Sequence, residues 1–190
     1  MKKKLLSLSI VLFCLAILSG NTLAYFTAEE TARNVIVSGS VRIALVEQQL
    51  VGDRLEDYPS EPIKVMPGRS VSKIVSVKGL NQDAWVRIRL AVTVFDAEGQ
   101  LMNVPADELQ QLVQLGCDTE NWTHQDGWWY CNTSVQSGTS TAPLFDKVTF
   151  STDMDNRYQK CRIHIDVTAQ AVQKANNGAS ALEAAGWPEA

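Results

Sequence analysis

The sequence holds few of the residues, and none of the spaced motifs, on which hydrolytic or metal chemistry depends. Its two histidines are His124 and His164, and neither belongs to an H-E-x-x-H pattern that would hold zinc beside a glutamate base. No C-x-x-C pair, G-x-S-x-G nucleophile motif or glycine-rich phosphate loop occurs. We therefore predict a protein that is not an enzyme and that needs no metal or cofactor.

The sequence also contains fewer basic than acidic residues. The 190 residues contain 17 lysines and arginines against 21 acidic residues, which gives a formal net charge of −4. Nucleic acids and anionic lipid surfaces select proteins with a basic surface. The composition therefore predicts no nucleic-acid partner.

The apolar run at the N-terminus is too short for a permanent membrane anchor. Residues 2–4 are lysines, residues 5–18 are mostly apolar, and Thr22-Leu23-Ala24 follows as a small-x-small site. A helix that spans a bilayer needs about 20 apolar residues. We predict that residues 1–24 are a signal peptide, that a signal peptidase cuts between Ala24 and Tyr25, and that the mature chain is secreted.

Alternation of apolar and polar residues predicts a mostly β domain over residues 40–173. The clearest strand is 85–95, whose apolar face carries Val86, Ile88, Leu90, Val92 and Val94. In the last strand, 161–173, the inward residues are predicted to be Cys161, Ile163, Ile165, Val167 and Ala169. Further strands are predicted over 40–46 and 71–77, on both sides of a turn at 125–127, and up to Phe150. Residues 47–62 are polar and are predicted to form a loop.

Two segments depart from this β pattern. Residues 104–115 predict a short helix, because Pro105 suits a first helical position, Asp107 and Glu108 suit the first turn, and an apolar stripe follows. Residues 174–190 are alanine-rich and are predicted to be a tail, either a frayed helix or a disordered end.

Three cysteines remain once Cys14 leaves with the signal peptide: Cys117, Cys131 and Cys161. Cys117 and Cys131 flank the predicted hairpin, and a disulfide between them would stabilise the fold by about 3 kcal/mol if the geometry allows it. The odd number leaves at least one thiol unpaired. The alternatives are three buried apolar thiols or a three-cysteine metal site, although no C-x-x-C pair supports the latter.

Several blocks of the sequence resemble one family of exported proteins. The junction TLAYFTAEETARNVIVSGSVRIAL is similar to that of the TasA/camelysin (CalY) family of Gram-positive bacteria, whose leaders are cut by the peptidase SipW. The block VMPGRSVSKIVSVKGLNQDAWVRIRLAVTV resembles the family's Pro-Gly turn followed by two strands. The tryptophan-rich strands, the strand ending at Phe150 and the closing AQAVQ are also similar. The three mature cysteines and the turn sequence KGLNQ depart from the family pattern.

The resemblance implies an antiparallel, jelly-roll-like β-sandwich with a short inserted helix. It implies a structural protein of the cell surface or the biofilm extracellular matrix, which forms fibres or serves as an accessory subunit. The implied partners are other copies of the chain, other matrix or surface proteins, and the signal peptidase during export. We expect residues 25–39 to supply a donor strand, with Phe26, Val35 and Val37 added to an open sheet edge of a neighbouring subunit.

Two other functions remain open. A secreted adhesion module would bind glycan or protein through Trp122 and Trp128, although the same aromatic side chains would serve equally well as core or as a subunit contact. Camelysin-like relatives have been described as metallopeptidases, for which this sequence lacks the histidine spacing. Asp153, Asp155 and Asn156 form an oxygen-rich loop without the glycine and glutamate of a calcium-binding loop, which favours a solvated turn.

Overall fold

The computed structural model describes residues 26–29, 33–37 and 40–189. The predicted signal peptide and Tyr25 lie outside these residues. The strands are β1 (Phe26–Glu29), β2 (Arg33–Val37), β3 (Ile43–Val51), β4 (Arg54–Asp57), β5 (Ile63–Val65), β6 (Ser70–Gly79), β7 (Ala84–Phe95), β8 (Val113–Gln114), β9 (Trp122–Gln125), β10 (Trp128–Cys131), β11 (Phe145–Phe150) and β12 (Arg162–Gln173). The helix α1 is Ala106–Leu112, and Asn156–Tyr158 forms one 3₁₀ turn. In this part of the chain, no helix has the length and apolar character needed to cross a membrane.

The strands form two sheets that enclose one main core. The larger sheet has the order β5-β1-β12-β7-β10-β9, with β2 also paired to β12, and the smaller has the order β4-β3-β6-β11-β8. Most neighbouring strands are antiparallel, whereas β1 and β2 run parallel to β12. The predicted mostly β sandwich with a short inserted helix is therefore confirmed.

The pair β7 and β12 forms the centre of the larger sheet. It is paired without interruption from Phe95 opposite Arg162 to Ala84 opposite Gln173. The inward residues predicted for β12 are all buried, and the apolar face predicted for β7 packs in the same core. These side chains meet Val75 and Val77 of the smaller sheet in one cluster. Removing this apolar surface from water is the main force that holds the two sheets together.

Helix α1 leads directly into β8, an edge strand of the smaller sheet. It begins at Ala106, directly after Pro105, and its first turn carries the predicted acidic residues Asp107 and Glu108. Leu112 is buried, and the chain then enters β8 at Val113, which is also buried. The inserted helix is thus shorter than the predicted segment 104–115, because its last apolar residue already belongs to a strand.

The predicted loop over 47–62 is partly wrong. Strand β3 continues to Val51, turns through Gly52 and Asp53, and returns as β4, with Val51 opposite Arg54. Gly52 has a φ of 61° at the first central position of this two-residue turn, where glycine is favoured. All four residues of β4 are exposed. The hairpin extends into solvent, so no burial on one face imposes the alternation from which a strand is predicted.

The C-terminal segment 174–189 is ordered as a series of turns, so the prediction of a frayed or disordered tail is wrong. We call this segment the C-terminal strap. It lies on the outer face of the larger sheet, where Ala181 and Ala184 are buried with Trp85, Trp128, Tyr130 and Val172. The indole N–H of Trp85 donates to the Gly178 carbonyl oxygen at 3.1 Å. The alanine methyl groups are small enough to lie against the large aromatic rings. Packing of this kind produces no periodic pattern in the sequence.

Candidate functional site

The N-terminal strands lie along β12, on the side opposite β7. Thr27–Glu29 of β1 pair with Arg162–His164, and all of β2 pairs with Val167–Ala171. Strand β1 also pairs with β5 in antiparallel register. The predicted donor residues Phe26, Val35 and Val37 are therefore part of strands in the sheet of their own chain.

Two properties of this arrangement matter for assembly. First, β12 is paired with β7 along its whole length, independently of its pairing with β1 and β2. Second, the Val35 side chain is 40% exposed, so this position of β2 contributes little to the core. Backbone pairing at a sheet edge is largely independent of side-chain identity, and an equivalent strand from a second copy forms the same hydrogen bonds. The N-terminal strands are thus suited to exchange between molecules.

An ion pair that the sequence analysis did not identify lies inside the sandwich. Glu47 of β3 and Lys73 of β6 are 3% and 1% exposed, and the Lys73 Nζ lies 3.0 Å from the Glu47 Oε1. The ammonium group also lies 3.8 Å from the ring centroid of Tyr58. Burial, and secondly the charge of Glu47, raises the pKa of Tyr58 to about 12. One signal was visible in the sequence, because Lys73 falls on the same face of its strand as Val75 and Val77.

A cleft of about 770 Å³ opens between α1 and the inner face of the larger sheet. Its lining is mainly apolar and includes Leu90, Val92, Leu109, Val113 and Trp129. The polar groups at its wall include Cys117 and His124, and the imidazole ring of His124 lies 4.8 Å from a ring of Trp129. His124 lies in β9, directly before the hairpin turn. The volume falls within the range of small-molecule sites.

The Cys117 thiol at the wall of this cleft is held in its protonated form. Burial raises the pKa of the Cys117 thiol to about 11. A thiol with this pKa is almost entirely protonated at neutral pH and is therefore a poor nucleophile.

The predicted aromatic contact residues Trp122 and Trp128 are both buried, at 1% and 7% exposure. Trp122 lies in the main core and donates its indole N–H to the Ala142 carbonyl oxygen at 3.2 Å. Trp128 belongs to the cluster beneath the C-terminal strap. The hypothesis that these two side chains are exposed for a ligand is therefore wrong. Of the two adjacent tryptophans in β10, Trp129 is the half-exposed one.

Arg87 organises the aromatic cluster on the outer face. Its guanidinium lies 4.1 Å from the ring of Trp128 and 4.6 Å from that of Trp187. Its Nε and Nη2 donate to the Gln170 Oε1 at 2.9 and 2.7 Å, and its Nη1 donates to the Tyr130 hydroxyl at 3.1 Å. The sequence could not have paired these groups, because the strap that carries Trp187 is about one hundred residues from Arg87.

The predicted disulfide between Cys117 and Cys131 does not form in the structure, where both residues and Cys161 are free thiols. The register of the hairpin explains this result, since Trp122 is the residue opposite Cys131. Cys117 lies before the ladder begins, at the wall of the cleft. The sequence showed that the two cysteines flank the hairpin, but it did not show which residues face each other.

Thiol titration distinguishes the free cysteines from the predicted disulfide. For the chain beginning at Tyr25 and unfolded in guanidinium, we expect an aromatic disulfide reagent to detect three thiols, because Cys117, Cys131 and Cys161 are all unpaired. In the native protein at pH 7.5 the reaction is expected to be much slower, since Cys131 and Cys161 are buried and the pKa of Cys117 is raised. Detection of a single thiol in the unfolded, unreduced protein would instead establish one disulfide.

The acidic loop of Asp153, Asp155 and Asn156 forms a capped turn. The Asp155 carboxylate accepts a hydrogen bond from the Arg157 backbone N–H at 2.8 Å, at the start of the 3₁₀ turn. Asp153 accepts a hydrogen bond from the Ser151 hydroxyl at 3.2 Å. Among the residues that the structure describes, no group of three or more histidine, cysteine or acidic side chains is placed to hold a metal ion.

The structure thus pairs the predicted donor strands with β12. It leaves Cys117 and Cys131 as free thiols and buries Trp122 and Trp128 in two different clusters. The imidazole ring of His164 lies 4.7 Å from the ring of Phe95. No family model matches the chain, and no curated protein or solved structure matches it either.

Proposed function

We propose that the protein is a secreted structural subunit of the cell surface or the biofilm extracellular matrix, which assembles with copies of itself by strand exchange. The observation that carries this proposal is the parallel pairing of β1 and β2 with β12. These strands come first in the described chain, and β12 has a second partner, β7, along its whole length. The resemblance of the sequence to the TasA/camelysin family favours the same function.

In the proposed mechanism, backbone hydrogen bonds within one chain are replaced by the same hydrogen bonds between two chains. Cleavage before Tyr25 produces an N-terminus close to β1. The segment 25–37 then leaves its own β12 and pairs with the β12 of the next subunit, where the same backbone hydrogen bonds form. The donor and acceptor surfaces differ, so the contact is heterologous, and repetition produces a filament when each subunit donates to the next and the rotation between subunits does not close a ring.

Deletion of the donor segment tests this mechanism. The chain 25–190 is expected to form filaments that are visible by negative-stain electron microscopy and to grow with concentration in light scattering. The chain 38–190 is expected to remain folded, because β7, β12 and the main core are retained, and to form no filaments, because the donor strands are absent. Added to the longer chain in excess, it is expected to shorten the filaments, since it offers an acceptor edge without a donor strand. Filaments formed by the chain 38–190 alone would disprove strand exchange.

A pair of point variants provides a matched control. In Val35→Pro/Ile36→Pro, two consecutive ladder positions lose their N–H groups, and successive N–H groups of a strand point to opposite sides. One of the two losses must therefore weaken the pairing of β2 with Ala169 and Gln170. In Val35→Thr/Ile36→Thr, both N–H groups and the β-branched shape are retained. We expect the proline variant to lose filaments and the threonine variant to keep them.

The cleft favours a second candidate function, a secreted binding module for a small apolar ligand. Trp129 lines the cleft and is half-exposed, so its fluorescence should change when an apolar probe such as a naphthalene sulfonate binds. Leu109→Gln places a polar group on the same wall and is expected to weaken this binding. Unchanged probe affinity in that variant would rule out the cleft as the binding site.

A further inference from the structure

Two arginines flank Trp128 on the outer face of the larger sheet, and neither forms an ion pair with any described residue. Arg87 is half-buried, and its hydrogen bonds go to neutral acceptors. Arg89 is exposed, and its guanidinium lies 4.9 Å from the ring of Trp128. We call Arg87, Arg89, Trp128 and Trp187 the arginine–tryptophan patch. In a chain with a formal net charge of −4, this patch combines positive charge with aromatic surface.

A second surface combines exposed aliphatic side chains with an acidic side chain. In the hairpin of β3 and β4, Leu50, Val51 and Leu55 are 52%, 47% and 58% exposed. Leu50 stands opposite Leu55, and Asp57 follows two residues later on the same face of β4. The Asp57 side chain is exposed and forms no ion pair with a described residue. We call residues 50–57 the hairpin tip. Exposed apolar side chains on an edge hairpin are typical of an interaction surface.

We propose that the hairpin tip of one copy docks on the arginine–tryptophan patch of another copy, and this inference rests on the proposed self-assembly. Charge selects the pairing: Asp57 meets Arg89, and Leu50 and Leu55 pack against Trp187 and the aliphatic part of Arg87. Each surface offers what the other lacks, a carboxylate beside apolar side chains on one and a guanidinium beside aromatic rings on the other. Arginine and tryptophan are also the residue types that are enriched at the centres of protein interfaces.

The contact joins two different surfaces of the chain. The tip includes β4, an edge strand of the smaller sheet, whereas Arg87 and Arg89 lie on β7, inside the larger sheet. The contact is therefore heterologous, and it repeats along a filament when the rotation between copies does not close a ring. The tip is smaller than a stable interface of standard size, which buries roughly 1,200–2,000 Å². It therefore reinforces strand exchange along a filament, where many weak contacts act together.

A charge exchange tests the pairing of Asp57 with Arg89. The mature chain 25–190 is prepared as Asp57→Arg, as Arg89→Asp and as the double variant, and the critical concentration for filaments is measured by light scattering. Each single variant places like charges opposite each other and is expected to raise that concentration by about five- to tenfold, a modest effect because both side chains are exposed to solvent. The double variant restores opposite charges and is expected to return close to the original value. A 1:1 mixture of the two single variants is expected to assemble as well, since each tip then meets a complementary patch.

The controls are Arg69→Asp and Glu98→Arg, which change exposed charges outside both surfaces. We expect them to leave the critical concentration within twofold of the unchanged chain. Far-ultraviolet circular dichroism and thermal melts of all variants exclude unfolding as the cause of a loss. An effect of Arg89→Asp without an effect of Asp57→Arg would show that the patch meets another acidic group and would overturn the proposed pairing. Failure of the double variant to recover would overturn it as well.

The outcome separates this inference from the proposed function. If the unchanged mature chain forms no filaments, strand-exchange assembly fails, and the tip–patch contact is then decided by sedimentation equilibrium. The average mass of the unchanged protein must rise with concentration. It must stay constant in both single variants and rise again in the double variant. A mass that stays at the monomer value at all concentrations would overturn both proposals.

Discussion

Replacing Lys73 with methionine is expected to lower the free energy of unfolding by about 3–5 kcal/mol, because it leaves the carboxylate of Glu47 buried without its cation. Both side chains are almost completely buried, and their charged atoms are 3.0 Å apart. The loss also removes the ammonium group that lies over the ring of Tyr58. Urea unfolding followed by tryptophan fluorescence measures the difference.

The double variant Glu47→Leu/Lys73→Met is the matched control for this prediction. It replaces both charged side chains with apolar side chains of similar length. Its stability is therefore expected to lie close to that of the unchanged protein or above it. A double variant as unstable as Lys73→Met would show that the pair stabilises the fold beyond mutual neutralisation. A single variant that loses less than about 1 kcal/mol, the value typical of a surface ion pair, would contradict the buried position of the pair.

The substitution Trp122→Ala is expected to cost about 3–5 kcal/mol of stability, as is usual for a large side chain removed from a core. Trp122 is 1% exposed, packs in the main cluster, and donates to the Ala142 carbonyl oxygen. Trp129→Ala is the control within the same hairpin, since Trp129 is half-exposed at the cleft. We expect a clearly smaller loss for Trp129→Ala in the same urea experiment.

This second prediction bears on the adhesion hypothesis. A variant of Trp122 that no longer binds a ligand would fail because it unfolds, and the same binding assay on Trp129→Ala gives the informative result. Equal stability losses for Trp122→Ala and Trp129→Ala would contradict the packing of Trp122 in the core. The arrangement that the structure shows places ligand-accessible aromatic surface at Trp129 and Trp187, with Trp122 serving the fold.

The sandwich was predictable where burial on one face imposes a period of two. Residues 85–95 and 161–173 alternate clearly, and the structure confirms that Ile88, Val94 and Ile163 face the core. The short helix was predictable for a similar reason, because a proline, two acidic residues and an apolar stripe are local signals. Prediction failed in the hairpin tip and the C-terminal strap, where either no face is buried or the buried face belongs to alanines.

Most of the candidate site could not be predicted, because its parts come from distant segments. Placing the N-terminal strands beside β12 joins Val35 to Ala169 by backbone pairing, which leaves almost no trace in side-chain composition. The burial of Trp122 and Trp128 was also undecidable, since alternation shows that neighbouring side chains face opposite ways and does not show what covers each face.

The sequence by itself determined which residues of each strand share a face, where helix α1 forms, and that no histidine-based zinc motif is present. The tertiary structure alone decided that Glu47 meets Lys73, that Arg87 lies between Trp128 and Trp187, and that the N-terminal strands run parallel to β12. The physical reason is the range of the interactions. Side-chain alternation and helix signals act within a few residues, whereas ion pairs, ring stacking and strand register depend on how the whole chain closes on itself.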